Sequence, residues 1–297
     1  MQPITMKYVL AVARYGSIAE AASRLNVAGS AISRQIVKIE EQLGVELFER
    51  RSRGMVPSAA GEIFVAHARR SELEAARTIH EINELRGPHR GHVRIAAFDG
   101  FALDPLPSLM TKFRTAHPQV TFDLWLGDSF EISRQVKDGE TDIGVIFNHP
   151  APRGVEVVHV SRRQVSIVVP MNHPLATRSS VSLKDVARYP LALPNKSRTQ
   201  RQMIDTAFAM HGISIEPVLS SNSVPAMRQF AKSSGAVVLS SSRNEDEAYA
   251  EGLMVVPIHD DGITQSVIHV IVMERRTLPS AAREFLEVVV GALRSGD

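Results

Sequence analysis

Residues Ser17–Gly61 read SIAEAASRLNVAGSAISRQIVKIEEQLGVELFERRSRGMVPSAAG, and this stretch decides the fold of the first third of the chain. Ser17 with Glu20 three residues on is a capping-box pattern, so a helix starts there and ends near Leu25. After Asn26-Val27 the next helix runs from about Gly29 to Leu43 and is stopped by Gly44. Ile32, Ile36, Ile39 and Leu43 recur at helical spacing and are expected to face a core, which turns Ser30, Ser33, Arg34 and Lys38 outward. Small residues at 21, 22 and 31 let two helices cross closely, with Leu25 and Val27 filling the angle. Glu46 to Val56 reads as a short strand pair, with Arg50, Arg51, Ser52, Arg53 and Gly54 at its tip. An earlier helix, Ile4 to Tyr15, stops at Gly16. The exposed start of the third helix suits a DNA major groove: Gly29 and Ser30 present the helix end, while Ser33, Arg34 and Lys38 reach phosphates or base edges. Arg50, Arg51 and Arg53 are placed for the sugar-phosphate backbone or a narrow minor groove. The plainer alternative is a three-helix bundle with a solvated Arg face.

Composition sets the limits around this segment. The 297 residues are 44% hydrophobic and 22% charged, which suits two or three folded domains. With no cysteine, disulfides, thiolate metal sites and thiol redox sensing are excluded. The net charge is only +2, but residues 1–90 carry 13 Lys and Arg against 10 Asp and Glu, while residues 91–297 carry 21 against 22. The basic excess therefore sits with the helix pair, where an anionic partner fits. No apolar run approaches a membrane span, and the apolar stretch 8–13 is cut short by Arg14, so no signal peptide is expected and the expected location is cytoplasmic.

Downstream, Ser58 caps a long helix from about Ala59 to Arg86, closed by Gly87-Pro88. Its stripe of Ile63, Phe64, Leu73, Ala76, Ile79, Ile82 and Leu85 is too long for one small neighbour, so a partner helix from a second subunit is the expected cover. Beyond the linker Pro88–Gly91, strands and helices alternate: strands Val93–Ala97, Val120–Leu126 and Ile143–Phe147, with helices around 106–116 and 130–138. This predicts a mostly parallel sheet covered by helices. A second unit starts with a strand at Val165–Val169 and continues with strand Ile215–Ser220, a helix around 224–233 and strand Ala236–Leu239. Strand Val267–Met273 and a helix from Pro279 to Leu293 return to the first unit. The fold class is thus α/β: a winged helix–turn–helix, a linker helix and a two-lobed domain. The expected division is 1–58, 59–90 and 91–297, with lobe I at about 91–162 and 266–297 and lobe II at about 163–265. Two lobes joined by two crossings leave a cleft for a small ligand.

The N-terminal segment resembles the DNA-binding domain of LysR-type transcriptional regulators through Ala21-Ala22, Leu25-Asn26-Val27, Ala31-Ile32-Ser33-Arg34-Gln35-Ile36, Glu40, Leu43-Gly44, Leu47-Phe48-Glu49-Arg50 and Ala60-Gly61. Leu106-Pro107, Phe113, His117-Pro118-Gln119-Val120, Gly139-Glu140-Thr141-Asp142-Ile143-Gly144 and His173-Pro174-Leu175-Ala176 resemble the family's effector domain. The resemblance implies promoter DNA as partner, a homo-oligomer (a dimer through the linker helix, assembled into a tetramer) and a periplasmic-binding-protein-like effector domain that takes a small inducer. RNA polymerase is a further candidate partner. Two positions depart from the family pattern. Ala28-Gly29-Ser30 stands where Ser-Gln-Pro is frequent, removing a hydroxyl cap and an amide able to pair with adenine. Gly100 stands where a Ser or Thr often binds a ligand carboxylate. The segments matching cleft-lining loops are Phe98-Asp99-Gly100-Phe101, Asp128-Ser129, Phe147-Asn148-His149, Ser197-Arg198-Thr199 with Arg201, and Asn222-Ser223. The effector-binding candidates are therefore Phe98, Asp99, Gly100, Phe101, Ser129, Phe147, Asn148, Arg198, Thr199, Arg201, Asn222 and Ser223. Arg198 and Arg201 suit a carboxylate and Asp99 an amine, so the expected effector is polar or carboxylate-bearing.

Enzyme chemistry finds no support. There is no Gly-rich phosphate loop, Gly-x-Ser-x-Gly elbow or His-Glu-x-x-His, so neither catalytic residues nor a cofactor are expected. His89 and His92 lack a third ligand, so no metal site is expected. Asp142 is expected to order the turn before a buried strand. A solute-binding or transport protein would use the same two-lobed domain, but it predicts an export signal and no DNA-binding head.

Overall fold

The computed structural model describes residues 3–51, 54–84, 91–103, 105–240, 249, 251–260, 263 and 265–294. The chain forms two compact units that part between residues 87 and 88. In the first, α1 (Pro3–Tyr15), α2 (Ile18–Leu25) and α3 (Gly29–Leu43) surround a core that includes Val9, Val12, Ala21, Ile32, Ile36 and Ile39. The Ser17 hydroxyl accepts the Glu20 amide, and Asn26 closes α2 in the left-handed region at φ 54°. Leu43 departs from the expected stripe: it is 47% exposed. The core has ended one turn earlier and is closed instead by Leu47 and Phe48.

Strands β1 (Phe48–Arg51) and β2 (Gly54–Pro57) pair antiparallel up to Arg51 opposite Gly54, making a wing. Close to its tip it is tied to the end of α1 by the Met55 amide, which donates to the Gly16 carbonyl at 2.7 Å. Gly54 sits at φ 117°, and a Cβ there would lie 2.3 Å from that same carbonyl oxygen, so only glycine serves. Ser52 and Arg53 at the wing tip lie outside the described residues, as do Leu85 and the linker residues 86–90. Helix α4 (Ala59–Glu84) follows. Phe64 and Ala68 enter the core, while Ile63, Ile79 and Ile82 are exposed by more than half.

The second unit contains two five-stranded sheets. The first runs β4 (Thr121–Leu126), β3 (His92–Ala97), β5 (Ile143–Phe147), β12 (Gln265–Met273), β6 (Val155–Gln164). Helices α5 (Asp99–Ala102), α6 (Pro105–Ala116), α7 (Ser129–Lys137) and α11 (Ser280–Arg294) belong to the same lobe, and Phe113, Phe122 and Phe285 meet edge-on in its core. The second sheet runs β11 (Leu253–Pro257), β7 (Ser166–Pro170), β10 (Val237–Ser240), β8 (Leu191–Pro194), β9 (Leu219–Ser221), with α8 (Leu183–Val186), α9 (Thr199–Met210) and α10 (Val224–Ser234).

The sheets are mixed, not mostly parallel. In each, two pairings are parallel and two antiparallel. The chain leaves the first lobe along β6 and returns along β12, and strands carrying it out and back must run opposite ways. Strand β9 also begins later than Ile215, because Pro217 cannot donate to the ladder; pairing starts only at Leu219.

Candidate functional site

The helix pair presents its reading surface through α3. Burial of Ile32, Ile36 and Ile39 fixes the rotation of that helix, leaving Ser30, Arg34 and Lys38 exposed and Gly29 and Ser33 half-exposed. Ala28 at the N-cap supplies no side-chain cap to the first amides. The Arg34 side chain folds back so that Nε donates to the Ser30 carbonyl at 3.2 Å, which holds the guanidinium over the helix start. On the wing, Arg50 is exposed, and Arg51 pairs with Glu49 at 2.8 Å with both side chains at least half exposed. That pair is too solvated to be worth much, so Arg51 stays available to a phosphate.

The second unit holds a pocket between its two sheets. From the first lobe come Phe98, Asp99 and Gly100 at the end of β3, Asp128 and Ser129 at the start of α7, and Phe147 at the end of β5. From the second come Pro194 ending β8, Arg198, Thr199 and Gln200 at the start of α9, Ser221 and Asn222 after β9, and Val224 and Met227 on α10. The pocket thus lies where strands end and helices begin, a usual place for a ligand in open α/β sheets. Phe98 and Phe147 form an aromatic wall with ring centroids 5.2 Å apart.

Asp99 and Arg198 face each other from opposite lobes, with Oδ2 and Nη2 3.9 Å apart and side chains 18% and 24% exposed. Burial pushes the Asp99 carboxyl above its ordinary value, and the Arg198 charge only partly offsets that. Arg198 also makes long contacts to the carbonyls of Gly127 (3.5 Å) and Asn222 (3.4 Å), so it spans the cleft. Ser129 is satisfied structurally: its hydroxyl donates to the Phe147 carbonyl and accepts the Phe147 amide, both at 3.0 Å. A Cβ at Gly100 would sit 3.1 Å from the Phe98 ring, so glycine allows that ring to fold over the start of α5.

Four expected effector contacts stand elsewhere. Phe101 is buried in the core of the first lobe. Arg201 is 3% exposed and turned inward, bonded to Asp205 at 2.7 Å and to the Pro194 carbonyl at 3.1 Å, because the turn that points Arg198 at the cleft rotates Arg201 toward the sheet. Asn148, at φ 44°, uses its side chain to accept the Val267 amide and to donate to Met203 Sδ at 2.9 Å. Ser223 caps α10 by accepting the Ala226 amide. Conversely, Pro194, Gln200, Ser221, Val224 and Met227 line the pocket unforeseen. The start of α10 beside Asn222-Ser223 held a readable signal for the last two, whereas Pro194 belongs to a strand the sequence pattern did not reveal. His92, weighed as a metal ligand, bonds Thr121 and Asp123 instead, and His89 lies outside the described residues. No helix among the described residues is long and apolar enough to cross a membrane.

A winged helix–turn–helix followed by a two-lobed α/β unit with a cleft defines a class, the ligand-responsive transcription factor. The chain belongs to the LysR family of transcriptional regulators: residues 5–62 match the bacterial regulatory helix-turn-helix protein of the lysR family, and residues 86–294 match the LysR substrate binding domain. It is similar to the HTH-type transcriptional regulator cbl of Escherichia coli (strain K12), 28% identical over 243 residues that cover 80% of this chain and 76% of that one. Full-length CbnR, solved with its target DNA, shares the fold at a TM-score of 0.57 and 24% identity, covering 97% of this chain and 99% of CbnR. The effector binding domain of QuiR, solved with shikimate, does so at 0.58 and 18% identity, covering 70% of this chain and 99% of that chain.

Proposed function

We propose that this regulator binds promoter DNA through α3 and the wing, and that a small polar or carboxylate-bearing effector in the cleft sets how it does so. One observation carries the reading: a cleft walled by both lobes lies on the same chain as an exposed helix start whose core face is fixed. Gly29, Ser30, Ser33, Arg34 and Lys38 enter the groove, and Arg50, Arg51 and Arg53 follow the backbone. Phe98, Asp99, Gly100, Ser129, Phe147, Arg198, Thr199 and Asn222 line the effector site. The division is 1–58 for the DNA head, 59–90 for the linker and 91–297 for the effector domain. The protein works in the cytoplasm as a homo-oligomer whose dimer forms along α4, and it turns over no substrate. Effector binding closes or rotates the lobes, which respaces the DNA heads. The DNA seen with CbnR and the shikimate seen with QuiR are the kinds of partner this plan calls for.

Selection of genomic fragments by the purified protein tests the reading. Recovery of a discrete set of intergenic sites is expected, with a small molecule altering the gel-shift pattern. Uniform recovery of all fragments at physiological salt would reduce the head to non-specific DNA binding.

A further inference from the structure

We propose that the cleft ligand is a small zwitterion of the α-amino-acid type, its ammonium held by Asp99 and its carboxylate by Arg198. This rests on the cleft being the effector site. The charged side chains on the pocket wall are Asp99, Asp128 and Arg198, so the wall is negative by one charge when all are ionised. A plain carboxylate has to compete with Asp99 for Arg198 and leaves the half-buried Asp99 carboxylate with no cationic partner. A plain amine leaves the Arg198 guanidinium on two carbonyls at 3.4 and 3.5 Å, too long for good hydrogen bonds. A zwitterion inserted between the two groups replaces one 3.9 Å contact by two charge-assisted bonds.

The surroundings of each group agree with that polarity. On the wall with Asp99 stand the aromatic rings of Phe98 and Phe147, a kind of side chain that attracts a cation. Beside Arg198 stand Thr199 and Gln200 in the first turn of the 12-residue helix α9, whose N-cap offers no side-chain acceptor, so carboxylate oxygens meet unsatisfied amides.

The test is calorimetric titration of the full chain with the standard L-amino acids, then with the des-amino acid and the decarboxylated amine corresponding to each that binds. At least one amino acid is expected to bind, at least tenfold more tightly than either counterpart. Asp99→Asn is expected to abolish the preference over the des-amino acid, an outcome that a purely structural role would not produce. A des-amino acid or amine binding as tightly as its amino acid overturns the proposal, as does Asp99→Asn keeping the preference. If no amino acid binds but another class of molecule does, and Met227→Trp blocks it, the zwitterion is refuted while the cleft reading stands. If Met227→Trp leaves every observed ligand response intact, the cleft reading falls as well.

Discussion

Gly61 occupies a place where any side chain collides. A Cβ there would lie 1.9 Å from the Leu47 carbonyl oxygen, in a corner where the Gly61 amide donates to Ser58 Oγ and that hydroxyl donates to the Glu46 carbonyl. Gly61→Ala is expected to cost about 1–3 kcal/mol by overpacking, read as a lower urea midpoint for the N-terminal unit. An unchanged midpoint would mean that the start of α4 shifts freely. Asp142 is the buried counterpart: 1% exposed, it pairs with Arg94 at 2.8 Å and Arg276 at 2.7 Å and accepts the Arg94 amide. Burial alone would raise its pKa, but the Arg94 hydrogen bond and charge, joined by Arg276, outweigh that and hold the carboxyl below its ordinary 3.8. A depressed folded pKa stabilises above the unfolded value and loses that stabilisation as pH falls through the folded one. Asp142→Asn should therefore cost about 3–5 kcal/mol at pH 7 by stranding two arginines, with the gap to wild type closing below pH ~3.8. A gap independent of pH would assign the loss to shape, not charge. The sequence pattern placed Asp142 at an ordering turn, but Arg276 lies 134 residues away and no local periodicity could pair them.

At the scale of elements, legibility followed local chemistry. The cap at Ser17 and the left-handed closures at Asn26 and Gly44 lie within a few residues of the helices they bound, so the approximate limits of α2 and α3 were readable. Strand β6 was not, because this edge strand, VEVVHVSRRQ, buries only Ser161 and lacks a continuous apolar run. In the cleft, Arg198 and Arg201 were indistinguishable until the rotation of α9 turned one inward. For α3 the consequence is electrostatic. Arg34→Ala should weaken operator binding and reduce the slope of log K against log salt by about 1 if its target is a phosphate. Gel shifts at several salt concentrations giving wild-type affinity and slope would remove Arg34 from the interface. For α4, Ile79 and Ile82 are 62% and 51% exposed, an apolar stripe that the proposed partner helix covers. Ile79→Lys with Ile82→Lys should shift the sedimenting species toward monomer, and an unaltered oligomer would place the subunit contact elsewhere.

At the scale of the effector unit, the joint between the lobes is a pair of adjacent chain crossings. The Ile258 amide donates to the Val165 carbonyl at 3.1 Å, and Gln164 pairs with Gln265 where β6 and β12 part from the second sheet. Two crossings joined only by such main-chain contacts can bend as a hinge without breaking either core. The mouth is held differently. Only long contacts from Arg198 and the Asn148–Met203 bond are seen joining the lobes there among the described residues. Such a closure is easily biased, because a bond to a weak thioether acceptor contributes at most about 1 kcal/mol, equal to no more than about a fivefold shift in the balance of open and closed forms. Met203→Leu keeps the volume of the side chain while removing the sulfur acceptor, so folding stability should change by less than about 1.5 kcal/mol. If the closed form is the one that binds effector, the concentration needed for half-maximal gel-shift response should rise by up to about fivefold while effector-free DNA binding stays at wild-type affinity. A response midpoint equal to wild type would take the Asn148–Met203 contact out of the closure and leave Arg198 as the group that couples the two lobes.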